Sequence, residues 1–360
     1  MMSKTFHSIL LIALAFWAWS CANDDPNPQP EPQPQSEAIR GADLSFLPEI
    51  EAAGTVFYNA QGQAEDVLTT LKNAGCNTVR IRLWKDPQGS TSSFAEVKKF
   101  AEKVKAKGLK VWLCVHYSDS WADPGQQTTP KAWQNLSLAL LKDSLSAYTR
   151  KIASEIQPEY IQVGNEINSG FLWPQGEIKN QSAFLELLQA GCKAVRESSS
   201  KSQITLHFAG LTGADWFFNL VSGVDYDLMG LSYYPTWHGK DPIVLETTFK
   251  NLAYLRKDIV VAETAYPFTL GWKDFTNNIV GSEDQLARGF AATPEGQAQF
   301  LAEIHRITTS TNRGKGFCYW GGEWVAFKGD QATDGSPWEN QALYDFTNKA
   351  LPVLSSFKEK

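Results

Sequence analysis

Two glutamates stand where apolar runs give out. Glu166 follows Asn165 near the end of YIQVGNEIN (160–168), and Glu263 closes the apolar run of DIVVAETAYP (258–267). A carboxylate beside such a run is costly to bury unless it is paired or does chemistry. Two carboxyl groups facing one another can hydrolyse a glycosidic bond, one protonating the leaving oxygen while the other attacks the anomeric carbon or activates water. Aromatic rings then supply flat platforms for pyranose faces. Of the eleven tryptophans beyond residue 20, Trp84, Trp121, Trp173, Trp237, Trp272, Trp320 and Trp324 fall at strand ends or in the loops that follow, whereas Trp112 and Trp133 read as core. Seven on one rim is more than packing explains, and the pattern predicts a sugar-lined groove. His7, His116, His207, His238 and His305 contain no HExxH and no close pair, so catalytic zinc is not expected.

The elements that would position these residues alternate along the chain. Short β-branched or aromatic runs at 41–45, 77–84, 110–118, 160–168, 204–210, 228–235, 258–267 and 316–324 read as eight strands. Segments 65–74, 94–106, 133–156, 182–197 and 294–309 carry apolar residues at three- and four-residue spacing and read as helices. That alternation predicts an α/β chain folded as a single (β/α)8 TIM barrel over residues 38–360, at about 40 residues per unit. A barrel of this kind builds its site at the C-terminal ends of its strands, where both glutamates sit.

The barrel is preceded by two segments of another kind. Residues 1–20 carry Lys4 and an apolar run too short to span a bilayer, and read as a signal peptide. The sequence AWSC ends in Cys21 and looks like a degenerate lipobox, which would leave Cys21 as the lipid-bearing N-terminus; Asp24 and Asp25 resemble the export signal of Bacteroides-type surface lipoproteins. Residues 21–37 form a linker whose PNPQPEPQPQ favours an extended spacer. The expected product is an exported lipoprotein at the outer membrane or cell surface, with a periplasmic or secreted protein as the alternative. Cys76, Cys114, Cys192 and Cys318 sit in apolar surroundings without a CxxC pair and read as buried free thiols. A net charge of −6 with no basic stripe argues against nucleic acid as a partner.

Several longer motifs carry a family resemblance. VGNEINSGFLWP and VAETAYP match the signature of the large clan of retaining glycosidases built on this barrel. More narrowly, GADLSFLPEIE, VRIRLWKDP, VHYSDSWADPGQQTTPKAW, GLSYYPTWHG and YWGGEW resemble glycoside hydrolase family 53, the endo-β-1,4-galactanases, over residues 38–350. The resemblance implies cleavage of β-1,4-galactan in pectic type I arabinogalactan with retention of configuration, without a catalytic cofactor, by a monomer. It implies Glu166 as acid/base and Glu263 as nucleophile. Arg82 is expected to keep Glu263 ionised, Asn165 to donate to the substrate 2-hydroxyl, and Trp84, His116, Asp119, Trp121, Tyr233, Tyr234, Trp237, His238 and Trp320 to line the substrate groove. Some bacterial members carry calcium between the loops after strands 7 and 8; here those loops offer Asp274, Asn278, Ser336 and Glu339, fewer carboxylates than such a loop usually has, so a structural calcium is an open question. Rival readings are a mannanase- or xylanase-like barrel enzyme, which would keep both glutamates but not the HYSDSWADPGQQ loop, and a non-catalytic surface glycan-binding lipoprotein, which would need neither glutamate.

Overall fold

The computed structural model describes residues 37–359, so the signal peptide, Cys21 and most of the Pro-rich linker lie outside the described residues. Eight parallel strands, β1 (Ile39–Asp43), β2 (Thr78–Leu83), β3 (Lys110–Val115), β4 (Tyr160–Val163), β5 (Gln203–Ala209), β6 (Leu228–Ser232), β7 (Asp258–Thr264) and β8 (Gly314–Tyr319), pair in sequence order and close on themselves. Closure leaves no free sheet edge, and the expected TIM barrel is the observed architecture.

Side-chain alternation along the strands sorts the residues. Val79, Ile81, Val111, Leu113, Ile161, Val163, Leu206 and Met229 join the large core between strands and outer helices. The intervening residues face the barrel axis, where Ile39, Trp112, Tyr160, Leu228, Val260, Ala262 and Cys318 form a separate apolar plug. Above the plug the inward positions turn polar, with Arg80, Gln162 and His207 all buried. A polar layer on an apolar plug is where chemistry can be held rigidly.

The helix over Phe94–Ala106 has the predicted bounds, and Val67–Ala74, Gln181–Ser198 and Pro294–Ser310 differ by one or two residues at their ends. The helix expected from residue 133 begins at Leu138, because Trp133 falls in a separate 3-10 turn and the Ser137 side chain accepts the Leu140 N–H as N-cap. Helices at Ala214–Leu220 and Ile243–Leu252 were not foreseen; the first is only seven residues long, and in the second the exposed apolar residues Ile243 and Val244 blur the buried stripe. The four cysteines among the described residues are free and buried, as expected. Among the described residues no helix is long and apolar enough to cross a membrane.

Candidate active site

Each glutamate reaches the barrel mouth by a local departure from strand geometry. β4 ends at Val163, and Gly164 has φ +85, where an added Cβ would meet the Ile167 side chain at 2.5 Å. The chain therefore turns, and Glu166 takes left-handed φ 48 and ψ 54 although it is not glycine, a conformation that persists only where its surroundings impose it. Gln127 does so by donating to the backbone carbonyls of Asn165 (2.8 Å) and Glu166 (3.2 Å). On β7, Val260 and Ala262 face the axis, so strict alternation would send Glu263 outward into the helix layer. The pairing slips instead: Leu231 opposes Val261 while Ser232 opposes Glu263, an extra residue on β7 that turns the carboxylate inward.

The two carboxylates thus converge. One oxygen of each lies within 4.8 Å of the other and of a His207 nitrogen. Arg80 bridges Glu263 Oε1 and Asp43 Oδ2, both at 2.7 Å, and donates to Asn165 Oδ1 at 2.9 Å. Tyr234 donates its hydroxyl to Glu263 Oε2 at 3.1 Å. Burial raises the Glu263 pKa, while Arg80 and the Tyr234 hydrogen bond act to lower it. Glu166 has no guanidinium contact, and burial first and the Glu263 charge second push it up to about 8. Of the pair, Glu166 therefore holds the proton and Glu263 the charge, which is the division a two-carboxylate mechanism requires. The same convergence is a poor cation site, because a guanidinium already neutralises Glu263 and both His207 nitrogens are hydrogen-bonded.

The expectation for Arg82 is corrected: the cation on Glu263 is Arg80, one layer deeper on β2. Arg82 instead stands among the rings of Phe46, Trp84 and Trp121, with its guanidinium carbon 4.5, 4.6 and 4.1 Å from their centroids. This geometry makes it a cation-π pillar under the aromatic wall. The wall lines a cavity of about 480 Å³ that also takes in both glutamates, with Trp121, Trp237, Trp320 and Trp338 on its sides. Trp320 and Trp338 meet edge-on at 4.7 Å, and Trp237 follows at 6.3 Å from Trp338. His116 and His238 join them; the Nδ1 of each accepts a backbone N–H (Ala122 and Tyr234), so both neutral rings have Nε2–H left to donate.

Other expected groove residues lie elsewhere. Trp84 backs Arg82, and Trp324 stacks on Phe46 at 3.7 Å behind the wall. Trp173 belongs to a separate depression with Trp133, and Trp272 is 67% exposed on the loop after β7. Tyr233 is fully buried, its hydroxyl given to the Gly239 carbonyl. The Asp119 carboxylate accepts the backbone N–H groups of Asp86 and Lys131 and ties loops rather than facing the cavity. Asn165 lines the cavity with its amide constrained, one hydrogen donated to the Ala122 carbonyl and the other left for a ligand. Arg80, Asp43, Asp123 and Trp338 were missed as site residues; the visible signal was the inward register that Arg80 shares with Arg82.

In the loops after β7 and β8, buried Asp274 Oδ2, Asn278 Oδ1 and Glu339 Oε2 all lack a hydrogen-bond partner. Glu339 is raised by burial and by the charge of Asp274, which places two carboxylates and an amide oxygen together without a cation of the protein's own. This hard-oxygen set fits calcium. Ser336 does not offer a free hydroxyl, since its Oγ donates to the Trp324 carbonyl and accepts the Trp338 N–H.

Comparison with known proteins agrees with this geometry. A solved structure described as the Ignisphaera aggregans GH53 catalytic domain superposes with a TM-score of 0.85 at 36% identity, covering 92% of this chain and 98% of that one. An arabinogalactan endo-β-1,4-galactanase of Cellvibrio japonicus is 34% identical over 340 residues, 88% of this chain and 90% of its own length. An endo-β-1,4-galactanase of Bacillus subtilis is 31% identical over 378 residues, covering 89% and 85%. The model of glycosyl hydrolase family 53 matches residues 39–357, and with the paired carboxylates and the aromatic cavity at the barrel mouth, the chain belongs to that family.

Proposed function

We propose that the protein is an endo-acting, retaining glycoside hydrolase that cleaves β-1,4-galactosidic bonds in galactan. The observation that carries the mechanism is the approach of Glu166 and Glu263 to within 4.8 Å. A retaining pair sits about 5–5.5 Å apart, whereas an inverting pair leaves about 6.5–9.5 Å for a water. In the first step a Glu263 oxygen attacks the anomeric carbon, and Glu166 gives its proton to the departing glycosidic oxygen. In the second, Glu166 takes a proton from water as that water displaces Glu263, and two inversions restore the configuration. Catalysis needs no cofactor. The galactan preference is supported by the family and by the printed activities of the relatives. Reducing-end release by residues 38–360 from β-1,4-galactan, β-1,3-galactan, mannan and xylan tests it. Short oligosaccharides from β-1,4-galactan alone are expected, and preferred cleavage of mannan or xylan would refute the substrate.

Glu166→Ala separates the two steps. Loss of the general acid should cost about 10²–10⁴-fold on galactan, yet much less on an aryl galactoside whose leaving group departs unprotonated. Equal losses on both substrates would remove Glu166 from the acid role.

Asp274, Asn278 and Glu339 would hold a structural calcium, which would neutralise the two acids and pin the loops after β7 and β8 together. Saturating calcium should raise the melting temperature by on the order of 5 °C over the chelated protein, and Asp274→Asn should abolish that increment. No calcium-dependent shift in the wild type would count against the site.

Export as a lipoprotein acylated at Cys21 is supported by the lipobox-like AWSC and the proline spacer. Radiolabelled palmitate entering the wild type but not Cys21→Ala would agree with it, and label in neither would favour a periplasmic or secreted form.

A further inference from the structure

One buried titratable residue beside the glutamates plays no part in the two steps above. His207 on β5 is fully buried and faces the barrel axis, with Nε2 2.9 Å from Ser232 Oγ. Ser232 Oγ lies 2.5 Å from Glu166 Oε1. The other ring nitrogen, Nδ1, is 3.0 Å from Gln162 Nε2 and 3.2 Å from Asn165 Oδ1. Burial, and then the charge of Arg80, hold the imidazole well below its usual pKa, so it is neutral. An ionised carboxylate can only accept hydrogen bonds. With Glu166 ionised, Ser232 must therefore give its single hydrogen to Oε1 and accept from His207 Nε2–H, which leaves Nδ1 as a bare acceptor turned towards Gln162.

We propose that Ser232 and His207 are positioning residues for the acid/base, an oriented chain of donors that occupies Glu166 Oε1, confines the working proton to Oε2, and keeps Glu166 a carboxylate between the two steps. The inference rests on the reading of Glu166 as acid/base. No proton travels along the chain: Glu166 loses its proton to the leaving oxygen and regains one from water.

The groups around Glu166 explain why such a device is needed. Glu263 from β7 and Asp123 from the loop after β3 disfavour its ionisation, while Arg80 from β2 and the Ser232 hydrogen bond favour it. Tyr234 and His238 from the β6 side and His116 from β3 also line the cavity; burial keeps both of these histidines neutral by lowering their pKa values, His238 to about 4, and holds the Tyr234 phenol protonated. When Glu263 becomes a glycosyl ester its charge disappears. The second-largest influence raising Glu166 is then gone while Arg80 and Ser232 still favour its ionisation, so against unchanged burial and Asp123 its pKa falls at the step that requires a base.

The test is Ser232→Ala, read two ways. The alkaline limb of kcat/KM on galactan should move up by about one pH unit, because the free enzyme keeps its acid protonated to higher pH. The ¹³C carboxyl resonance of Glu166, assigned by its loss in Glu166→Gln, should titrate higher by the same amount. His207→Gln, which retains an N–H for Ser232, should leave the alkaline limb and the carboxyl titration near their wild-type pH, while His207→Leu should shift both in the direction of Ser232→Ala. Should the alanine variant fail to fold, Ser232→Cys, nearly isosteric and a weaker donor, should show a smaller shift of the same sign. A folded Ser232 variant in which both readouts stay at the wild-type pH overturns the proposal. If the wild type does not cleave galactan, the functional reading fails, and the carboxyl titration still decides the role of Ser232.

Discussion

Glu263→Gln is expected to lower kcat on β-1,4-galactan by about 10⁴-fold or more while the variant still binds the polysaccharide. The amide retains the size of the carboxylate but has no anionic oxygen to form the glycosyl ester, so the double displacement loses its first bond. Binding should survive, because Trp121 and Trp320 rest on Arg82 and Phe46, and Trp237 and Trp338 on the Tyr234 ring, whose hydroxyl can still donate to the amide oxygen of the variant. Single-turnover measurements would show no glycosyl-enzyme in this variant, whereas Glu166→Ala on an activated aryl galactoside should accumulate it. Comparable residual rates for both variants on both substrates would reverse or dissolve the assignment of roles. Loss of binding together with turnover would instead report a disturbed fold.

How far the residues alone disclose this site depends on which physical signal places each one. The strand count was legible because β-branched and aromatic runs recur between helix-period segments, and the two glutamates stood out as charges at the ends of apolar runs. What alternation could not reveal is its own violation. Glu263 faces the barrel only because β7 carries an extra residue opposite Leu231–Ser232, and Glu166 does so only because Gly164 stops β4 and Gln127 holds the turn. The choice of Arg82 over Arg80 failed for a related reason. Both share one register, and depth within the barrel decides which reaches Glu263; depth depends on how strands stagger, which no single strand encodes. Trp338 lies in the long segment after β8, where no period reports direction. Ser232 and His207 looked like ordinary polar residues in apolar strands, and only closure of β4, β5 and β6 puts them in line with Glu166.

Arg80 itself should be the least replaceable residue in the barrel. It lies between Asp43 and Glu263, and it also donates to Asn165 Oδ1 (2.9 Å) and Gln162 Oε1 (3.2 Å), all of them buried. Arg80→Met would leave two carboxyl groups facing an apolar side chain. Breaking a buried ion pair by removing one partner costs about 3–5 kcal/mol, since the remaining charge is uncompensated. The pH dependence of that loss has a definite sign. Glu263 is already raised by burial, with Arg80 the main influence holding it down, so its folded pKa should rise further in the variant. A group that binds its proton more tightly folded than unfolded contributes stability below its unfolded pKa and loses it as pH climbs through the folded value. Urea unfolding should therefore show a deficit that grows as pH rises above the ordinary carboxylate range, while activity should be lowest at the acid end, because a protonated Glu263 is no nucleophile. Arg80→Lys keeps the charge but not the planar fork that spans Asp43 and Glu263 at once, so it should recover part of the stability and little of the rate. A deficit independent of pH in Arg80→Met, with turnover intact, would show that Glu263 is held ionised by something other than this guanidinium.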